Sequence, residues 1–438
     1  MHISILGAGE SGVGAALLAK HLGFSVFVSD AGSIKENFKH ELRTNAIPYE
    51  EGKHTWTSIF DADEIIKSPG IPDHLPLIAE LHRQGKPVIS EIEFASRFTT
   101  AVIIGITGSN GKTTTTRLTY HLLKTAGLNV ALGGNVGYSF ARNIIEKKYD
   151  YHVLELSSFQ LDGIAHFHPN VAILLNITPD HLDRYEYKME NYVRAKFRIA
   201  MNQTEDDVLI LNADDPEIQN RLKTNRLAPK MIRVSNHFEN THSIQVGDSV
   251  FDMRSCVLKG QHNFFNAACA IHAAKAVDIG DDAIQQALNT FVNVPHRLEY
   301  VATIDGVEYI NDSKATNVDS VFYALQAMEK PVVWIAGGTD KGNDYAPIEA
   351  LVRQKVKALV CLGVDNSKLI TVFSPVLKNI EEAKSAAEAI GKARRLAESG
   401  DVVLLSPACA SFDLFKNYED RGDQFRAEVK KLNNSITQ

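Results

Sequence analysis

Lys112 and Thr113 stand where a buried strand would turn into a helix, in the stretch AVIIGITGSNGKTTTT over residues 101–116. Gly105, Gly108 and Gly111 let the backbone turn sharply and bring its N–H groups close to an anion. A helix N-terminus adds partial positive charge there, and Lys112 adds a full one. The Thr113 hydroxyl can meet a phosphate-bound Mg²⁺. The chemistry is that of a nucleotide-phosphate loop, although the spacing departs from the strict pattern: five residues before Gly111 stands Ile106, and the glycine is one earlier, at Gly105. A run of threonines opens a helix poorly for stability alone, so these hydroxyls are expected to have another use.

Further residues of the same kind follow. Glu155 interrupts the apolar strand YHVLELSSFQLD, on the side it shares with Val153 and Ser157. A carboxylate there is expensive unless it meets water at a sheet edge, a partner, or a cation such as Mg²⁺. Asn176, Thr178, Asp180, His181 and Asp183 crowd into eight residues after the apolar run VAILLNI. At about 100° per residue, NYVRAKFRIAM puts Lys196 in the middle of an apolar face, with Arg194 and Arg198 on the wet one. Either that lysine snorkels to the surface, or it sits in a pocket where desolvation favours its neutral, reactive amine. Asn263 and Asn266 lie one turn apart, as a cap or as two amides facing one ligand. Cys409 has no activating base in view and reads as a small packed residue.

The elements that must position these residues are those of an α/β chain. At 438 residues, 44% hydrophobic and 23% charged, several domains with large cores are expected. A net charge of −7 argues against non-specific nucleic-acid binding, but allows a local basic pocket. The four cysteines have no paired metal spacing, so a reduced, cytoplasmic chain is expected. No apolar run reaches the ~18 residues that span a bilayer, and no membrane partner is expected. Residues 2–30 read strand, turn, helix, strand, with Gly7, Gly9 and Gly12 in the dinucleotide spacing and Asp30 closing the second strand. That turn suits any diphosphate, and Asp30 suits a ribose or a uridine. EIIKSPGIP follows as strand and turn, with Ser68-Pro69-Gly70 a plain turn or a cover over the same ligand. Residues 208–250 read as a peripheral, partly antiparallel section. Beyond about residue 298, strands and helices alternate again, with a long helix over 381–398 and a last one from about Gln424.

Taken in order along the whole chain, ITGSNGKTT, GGNVG, ELSSFQL, NITPDHLDRY, the lysine of RAKFRI, KGQHNFFN, PHR, NDSKATN, GGTDKG and SPACASFD resemble the Mur ligases of peptidoglycan synthesis, most closely the branch that adds D-glutamate. The resemblance implies three domains: a Rossmann-like one over 1–92 for the UDP end of the substrate, a central P-loop ATPase-like one over 93–297, and a Rossmann-like one over 298–438 for the amino acid. It implies ATP-dependent joining of D-glutamate to UDP-N-acetylmuramoyl-L-alanine through an acyl phosphate, by a monomer with two Mg²⁺ sites.

The residue roles it implies are these. Lys112, Lys196 and His181 are catalytic. Gly108, Ser109, Asn110, Gly111, Lys112, Thr113 and Thr114 hold ATP phosphates, and Asn263, Asn266, Arg297 and Asp312 hold adenine and ribose. Glu10, Ser11, Asp30, Gly70, Asn135, Ser157 and His181 meet the UDP-substrate. Lys314, Thr316, Lys341, Ser411 and Tyr418 form the D-glutamate pocket, where lysines suit two carboxylates. Thr113, Glu155, His181 and Lys196 are metal ligands, the last as a carbamate. Ala31-Gly32 stands where relatives often carry polar or basic residues, and Tyr418 where phenylalanine is common. A folylpolyglutamate synthetase or another Mur ligase would differ in the amino-acid pocket. A nicotinamide-dependent oxidoreductase would leave the phosphate loop and Lys196 without a task. A nucleotide-regulated binding protein would bind ATP without releasing phosphate.

Overall fold

Strands that are apolar on both faces suit parallel sheets covered by helices on each side, and three such sheets form. The computed structural model describes residues 1–239, 242–293, 295–340 and 342–434. The chain divides into two compact units, Met1–Cys256 with Asn263–Phe291, and Val257–His262 with Val292–Gln438.

The first unit holds two parallel sheets and a two-stranded hairpin among the described residues. One contains β1 (His2–Leu6), β2 (Ser25–Asp30), β3 (Tyr49–Glu51), β4 (Glu64–Lys67) and β5 (Val88–Ile89), in the order β3-β2-β1-β4-β5 and all parallel, the Rossmann-like arrangement. Strand order reverses between β1 and β4, the place where open sheets leave a crevice. There Ser68 Oγ donates to the Gly7 carbonyl at 3.2 Å. A Cβ on Gly12 would stand 1.8 Å from that same carbonyl oxygen, so only glycine lets the helix Glu10–His21 start so close.

The second sheet contains β6 (Val102–Thr107), β7 (Val130–Gly134), β8 (Tyr151–Glu155), β9 (Val171–Leu174), β10 (Val208–Asn212) and β11 (Lys230–Val234). Its order is β11-β10-β9-β6-β8-β7, again all parallel. Residues 208–250 were expected at the periphery. Instead Leu209, Ile210 and Leu211 are buried in β10 beside β9, and only the hairpin β12 (Ser243–Val246) and β13 (Ser249–Asp252) is separate and antiparallel. One apolar core runs from Ile3, Ile5 and Val28 through Ile92, Phe94 and Phe140 to Leu154 and Leu174.

The second unit is built on β14 (Glu299–Ile304), β15 (Val307–Asn311), β16 (Val332–Ala336), β17 (Val356–Leu362), β18 (Ile380–Ala383) and β19 (Val402–Leu405), in the order β14-β15-β19-β16-β17-β18. Only β14 is antiparallel. Trp334, Leu359 and Leu404 face one core, while Val333, Val360 and Val403 face the other. The long helix expected over 381–398 is shorter, Ala386–Leu396, because Ile380–Ala383 pairs with β17. Its IEEA sequence favours helix, and the open sheet edge overrides that propensity. The last helix begins at Tyr418 rather than Gln424 and runs through Gly422. That glycine reads as a helix breaker, yet a Cβ there would stand 2.1 Å from His296 Nδ1.

The helix Glu91–Ser96 joins the two sheets of the first unit, capped by Ser90 Oγ on the Glu93 N–H. Glu93 is fully buried. Burial alone would raise its pKa, but the N–H groups of Ala165, Phe167 and His166, at 2.8–3.0 Å, and the Arg97 guanidinium hold it below the usual carboxylate range. Arg97 also forks onto both oxygens of Glu64, at 3.0 and 2.9 Å. Replacing Glu93 with Ala strips three N–H groups of their acceptor. Urea unfolding of Glu93→Ala is expected to show a loss of about 3 kcal/mol or more, and of Glu93→Gln a smaller one, since its amide oxygen still accepts.

Candidate active site

The phosphate loop joins β6 to the helix Lys112–Thr125, and its shape is held from outside. The Asn176 side chain accepts from the Asn110 N–H at 2.8 Å and donates to the Asn110 carbonyl at 3.1 Å. Ser109 Oγ donates to the Thr178 carbonyl at 2.9 Å, accepts from the Thr178 N–H at 3.0 Å and lies 3.1 Å from Tyr192 Oη. Gly111 has φ +82, and a Cβ on it would strike Asn266 Oδ1 at 2.4 Å. Asn263 and Asn266 are both buried, with Asn266 Nδ2 3.5 Å from Asn263 Oδ1, so they share a face against the loop. Asn263 lies inside the helix Gln261–Ala276 and is not its cap. The threonines of the loop helix are buried, and among the described residues Thr114, Thr115 and Thr116 Oγ1 have no hydrogen-bond partner.

Lys112 Nζ folds back on the Gly108 and Ser109 carbonyls, 2.8 Å from each. Lys196 Nζ donates to the same Gly108 carbonyl at 2.8 Å and lies 4.6 Å from the centre of the Tyr192 ring. The Lys196 side chain is 1% exposed, so it does not snorkel. Burial first, then the Lys112 charge, holds its pKa well below the ordinary lysine value; Asp180 and Asp162 oppose them. Of the two arginines expected on the wet face, Arg194 is exposed. Arg198 is half-buried, with its guanidinium on the Leu161 and Ile164 carbonyls, because the α-helix ends at Phe197 and a 3₁₀ turn follows.

Glu155 ends β8 inside the protein, not at a wet edge: it is 2% exposed. Asn135 Nδ2 donates to Oε1 at 2.7 Å, while Oε2 is buried with no hydrogen-bond partner among the described residues. Ser157, expected to share the strand with Glu155, instead caps the helix Ser158–Asp162 in a capping box with Gln160. His181 has φ +53, a half-open side chain, and Nε2 3.5 Å from Asp180 Oδ2. Among the described residues no three His, Cys, Asp or Glu side chains converge as a metal cage. The orphaned Glu155 oxygen therefore fits a divalent ion that takes most of its shell from phosphate and water.

At the crevice of the first sheet, Asp30 accepts from the Ala8 N–H at 2.7 Å and the Gly32 N–H at 2.8 Å. Glu10 accepts from the Ser139 N–H at 3.0 Å and lies 2.8 Å from Arg142 Nε, so this carboxylate is engaged by the segment leading into the helix Phe140–Glu146. Ser11 is half-buried and Gly70 exposed. Arg184 donates to the Gly70 carbonyl at 3.2 Å and lies over the Phe159 ring at 4.5 Å. Sequence reasoning did not single out Arg184, although it lies within NITPDHLDRY.

In the second unit the loops that carry NDSKATN (residues 311–317), the GGTD of GGTDKG (337–340) and SPACASFD (406–413) meet, because β15, β19 and β16 are adjacent. Arg421, which sequence reasoning also missed, ties them together. Its guanidinium, 1% exposed, donates to Ser313 Oγ and the Ser313, Gly337 and Cys409 carbonyls at 2.9–3.3 Å. Burial lowers its pKa to about 10, so it stays charged at neutral pH. The signal was faint: a charged residue beside a glycine in an apparently solvated helix. Lys314 Nζ lies 5.4 Å from the Tyr418 ring centre, Thr316 is half-buried beside it in sequence, and Ser411 is buried. Lys341 lies outside the described residues. Cys409 Sγ packs 3.4 Å from Tyr345 Oη with its thiol pKa raised by burial, as a packed residue should. Asp312 is buried, accepting from Ser406 Oγ at 2.9 Å and the Leu298 N–H at 3.1 Å. Burial pushes its pKa up to about 6 against the pull of Arg297, whose Nε is buried without a hydrogen-bond partner among the described residues.

Three family descriptions match this arrangement in chain order: MurD N-terminal domain over residues 2–75, Mur ligase middle domain over 106–274, and Mur ligase, glutamate ligase domain over 296–409. Proteins named UDP-N-acetylmuramoylalanine--D-glutamate ligase are similar over nearly the whole chain. That of Porphyromonas gingivalis strain W83 is 53% identical over 98% of this chain and 98% of its own. That of Christiangramia forsetii is 51% identical over 98% and 99%. The chain belongs to the Mur ligase family. A MurF ligase from Thermotoga maritima, solved in complex with ADP, shares the fold, with a TM-score of 0.61 at 18% identity over 93% of this chain and 95% of that one.

As a Mur ligase the chain brings Gly108–Thr114, Lys196, Asn263 and Asn266 together around one loop, and Asp312 beside Arg297 in the second unit. Native Asp312 holds its proton more tightly than an unfolded aspartate, so the folded state binds more protons between about pH 4 and pH 6. Its contribution to stability therefore falls as pH rises through that window. The difference in unfolding free energy between wild type and Asp312→Asn is expected to decline from pH 4 to pH 6 and level off by pH 7. Parallel profiles would mean that Asp312 ionises at its usual pKa.

Proposed function

We propose that the chain is an ATP-dependent ligase that adds D-glutamate to UDP-N-acetylmuramoyl-L-alanine in peptidoglycan precursor synthesis, releasing ADP and phosphate. The relatives' shared name supports the substrates. The phosphate loop with its two amines on one carbonyl is the observation that carries the chemistry. Residues 1–92 take the UDP end, 93–297 take ATP, and 298–438 take the amino acid.

The substrate's terminal carboxylate attacks the γ-phosphorus of ATP, ADP leaves, and an acyl phosphate forms. The D-glutamate amine then attacks the carbonyl carbon, loses a proton and expels phosphate as the amide forms. The first step brings two anions together, so positioning and charge stabilisation are the protein's main tasks. Loop N–H groups from Gly108 to Thr114 and the Lys112 ammonium take the phosphates. Asn263, Asn266, Arg297 and Asp312 hold adenine and ribose. Glu10, Ser11, Asp30, Gly70, Asn135, Ser157 and His181 face the nucleotide sugar, while Lys314, Thr316, Lys341, Ser411 and Tyr418 hold D-glutamate.

Thr113, Glu155 and His181 would hold Mg²⁺ at two sites, where it supplies neutralisation of phosphate charge. The buried Lys196 amine, its pKa lowered by burial and by the Lys112 charge, is suited to add CO₂ and release a proton. The resulting carbamate turns a cation into an anionic ligand.

Phosphate release from ATP is expected only with both UDP-N-acetylmuramoyl-L-alanine and D-glutamate present, and not with L-glutamate, L-lysine or meso-diaminopimelate in its place. Release with another amino acid would overturn the pocket assignment, and no release with any of them would leave a binding protein. Lys112→Ala is expected to abolish turnover; near-normal kcat would remove its role. Lys196→Ala is expected to be inactive and partly rescued by a small carboxylic acid, whereas full activity without rescue would end the carbamate reading.

A further inference from the structure

A cavity of about 290 Å³ opens at the edge of the second sheet opposite the phosphate loop, lined among others by Arg97, Phe98, Lys147, Lys148, Tyr149 and His152. Residues 97–100 lead into β6 and residues 147–149 into β8, so the cavity lies at the amino ends of these strands. Gly108 and Glu155 lie at their carboxyl ends. His152 alone is separated from Glu155 by roughly 10 Å of strand. The cavity is therefore distinct from the nucleotide site and faces away from it.

Its charge is unbalanced. Arg97 is neutralised by Glu64 and Glu93. Lys147 and Lys148 are exposed and have no carboxylate within ion-pair distance among the described residues, and Lys147 Nζ lies 4.6 Å from the Tyr149 ring centre. Glu146, the acid that meets Tyr149, accepts from its hydroxyl at 2.9 Å.

His152 is 1% exposed, and its Nδ1 has no hydrogen-bond partner among the described residues. The rings of Phe140 and Tyr149 meet it edge-on, at 4.9 and 5.7 Å. Burial pushes its pKa down to about 4, so it is a neutral polar ring at physiological pH. A buried imidazole without a partner costs stability, and two uncompensated ammoniums at a cavity's rim favour an anion. The volume stands at the small end of ligand sites, too small for a nucleotide sugar.

We propose that this cavity is a second anion site, taking a small dianion, either a phosphomonoester or a short dicarboxylate, on Lys147 and Lys148 with His152 and the aromatic rings as its inner wall. It also touches Arg97 at the end of the helix joining the two sheets, so an occupant would bear on that joint.

The test is calorimetric titration of the whole protein with inorganic phosphate and, separately, with succinate. Both are run in saturating ADP so that the phosphate loop is filled, and the His152 ring resonances are followed by NMR. Saturable binding of at least one probe is expected, moving the His152 resonances and persisting in Lys112→Ala. In the double variant Lys147→Ala/Lys148→Ala it is expected to weaken at least tenfold at an unchanged Tm, both side chains being exposed. Tighter phosphate binding would assign the phosphomonoester class, and tighter succinate binding the dicarboxylate class. The proposal is overturned if neither probe binds, if binding disappears when ADP is present, or if the double variant binds as wild type does.

Discussion

The carbonyl of Gly108 accepts from both Lys112 and Lys196, each at 2.8 Å. Two ammoniums at such separation repel by about 3 kcal/mol, even at an effective dielectric of ~20. Burial and the Lys112 charge both lower the Lys196 pKa, so of the two amines it is the one that releases its proton more readily. The neighbouring parts hold this arrangement in place. Asn176 clamps Asn110, the Tyr192 hydroxyl keeps the Lys196 helix against Ser109, and Asn266 fills the space that a side chain at position 111 would need.

The second unit reaches a comparable end by a different route. Its polar clusters come from three strands far apart in sequence. A buried guanidinium, Arg421, collects the carbonyls at the strand ends and gives those loops one common conformation. The cation is structural, and the half-buried Lys314 and Thr316 stand on the same loop. Both units thus gather their polar loops at the carboxyl ends of parallel strands, where open sheets leave crevices.

Buried carboxylates make the joint between the sheets of the first unit. Glu93 is stabilised as an anion by three N–H groups and Arg97. Glu91, two residues away, is pushed up to about 8 by burial, against the Ala141 N–H and with the Glu10 charge adding to the rise. Two similar side chains on one short helix therefore differ in charge at neutral pH, because only one of them faces enough donors. In the sequence both are ordinary acidic residues of SEIEFASRF, residues 90–98, and nothing local distinguishes them.

The sequence by itself determined the phosphate loop, the helix behind it, the unusual placement of Lys196 and the run of strands that ends in polar loops. Each is a local pattern: glycine spacing, a 3.6-residue period, or an apolar run closed by turn formers. Tertiary structure alone decided the rest. It put β10 and β11 into the central sheet, made a strand of IEEA because an edge stood open, and carried the last helix through Gly422 because His296 fills the space of its missing side chain. It also chose between a snorkelling and a buried Lys196, and between a wet and a dry Glu155. Those outcomes depend on desolvation and on donors contributed by residues distant in sequence, and no local pattern encodes them.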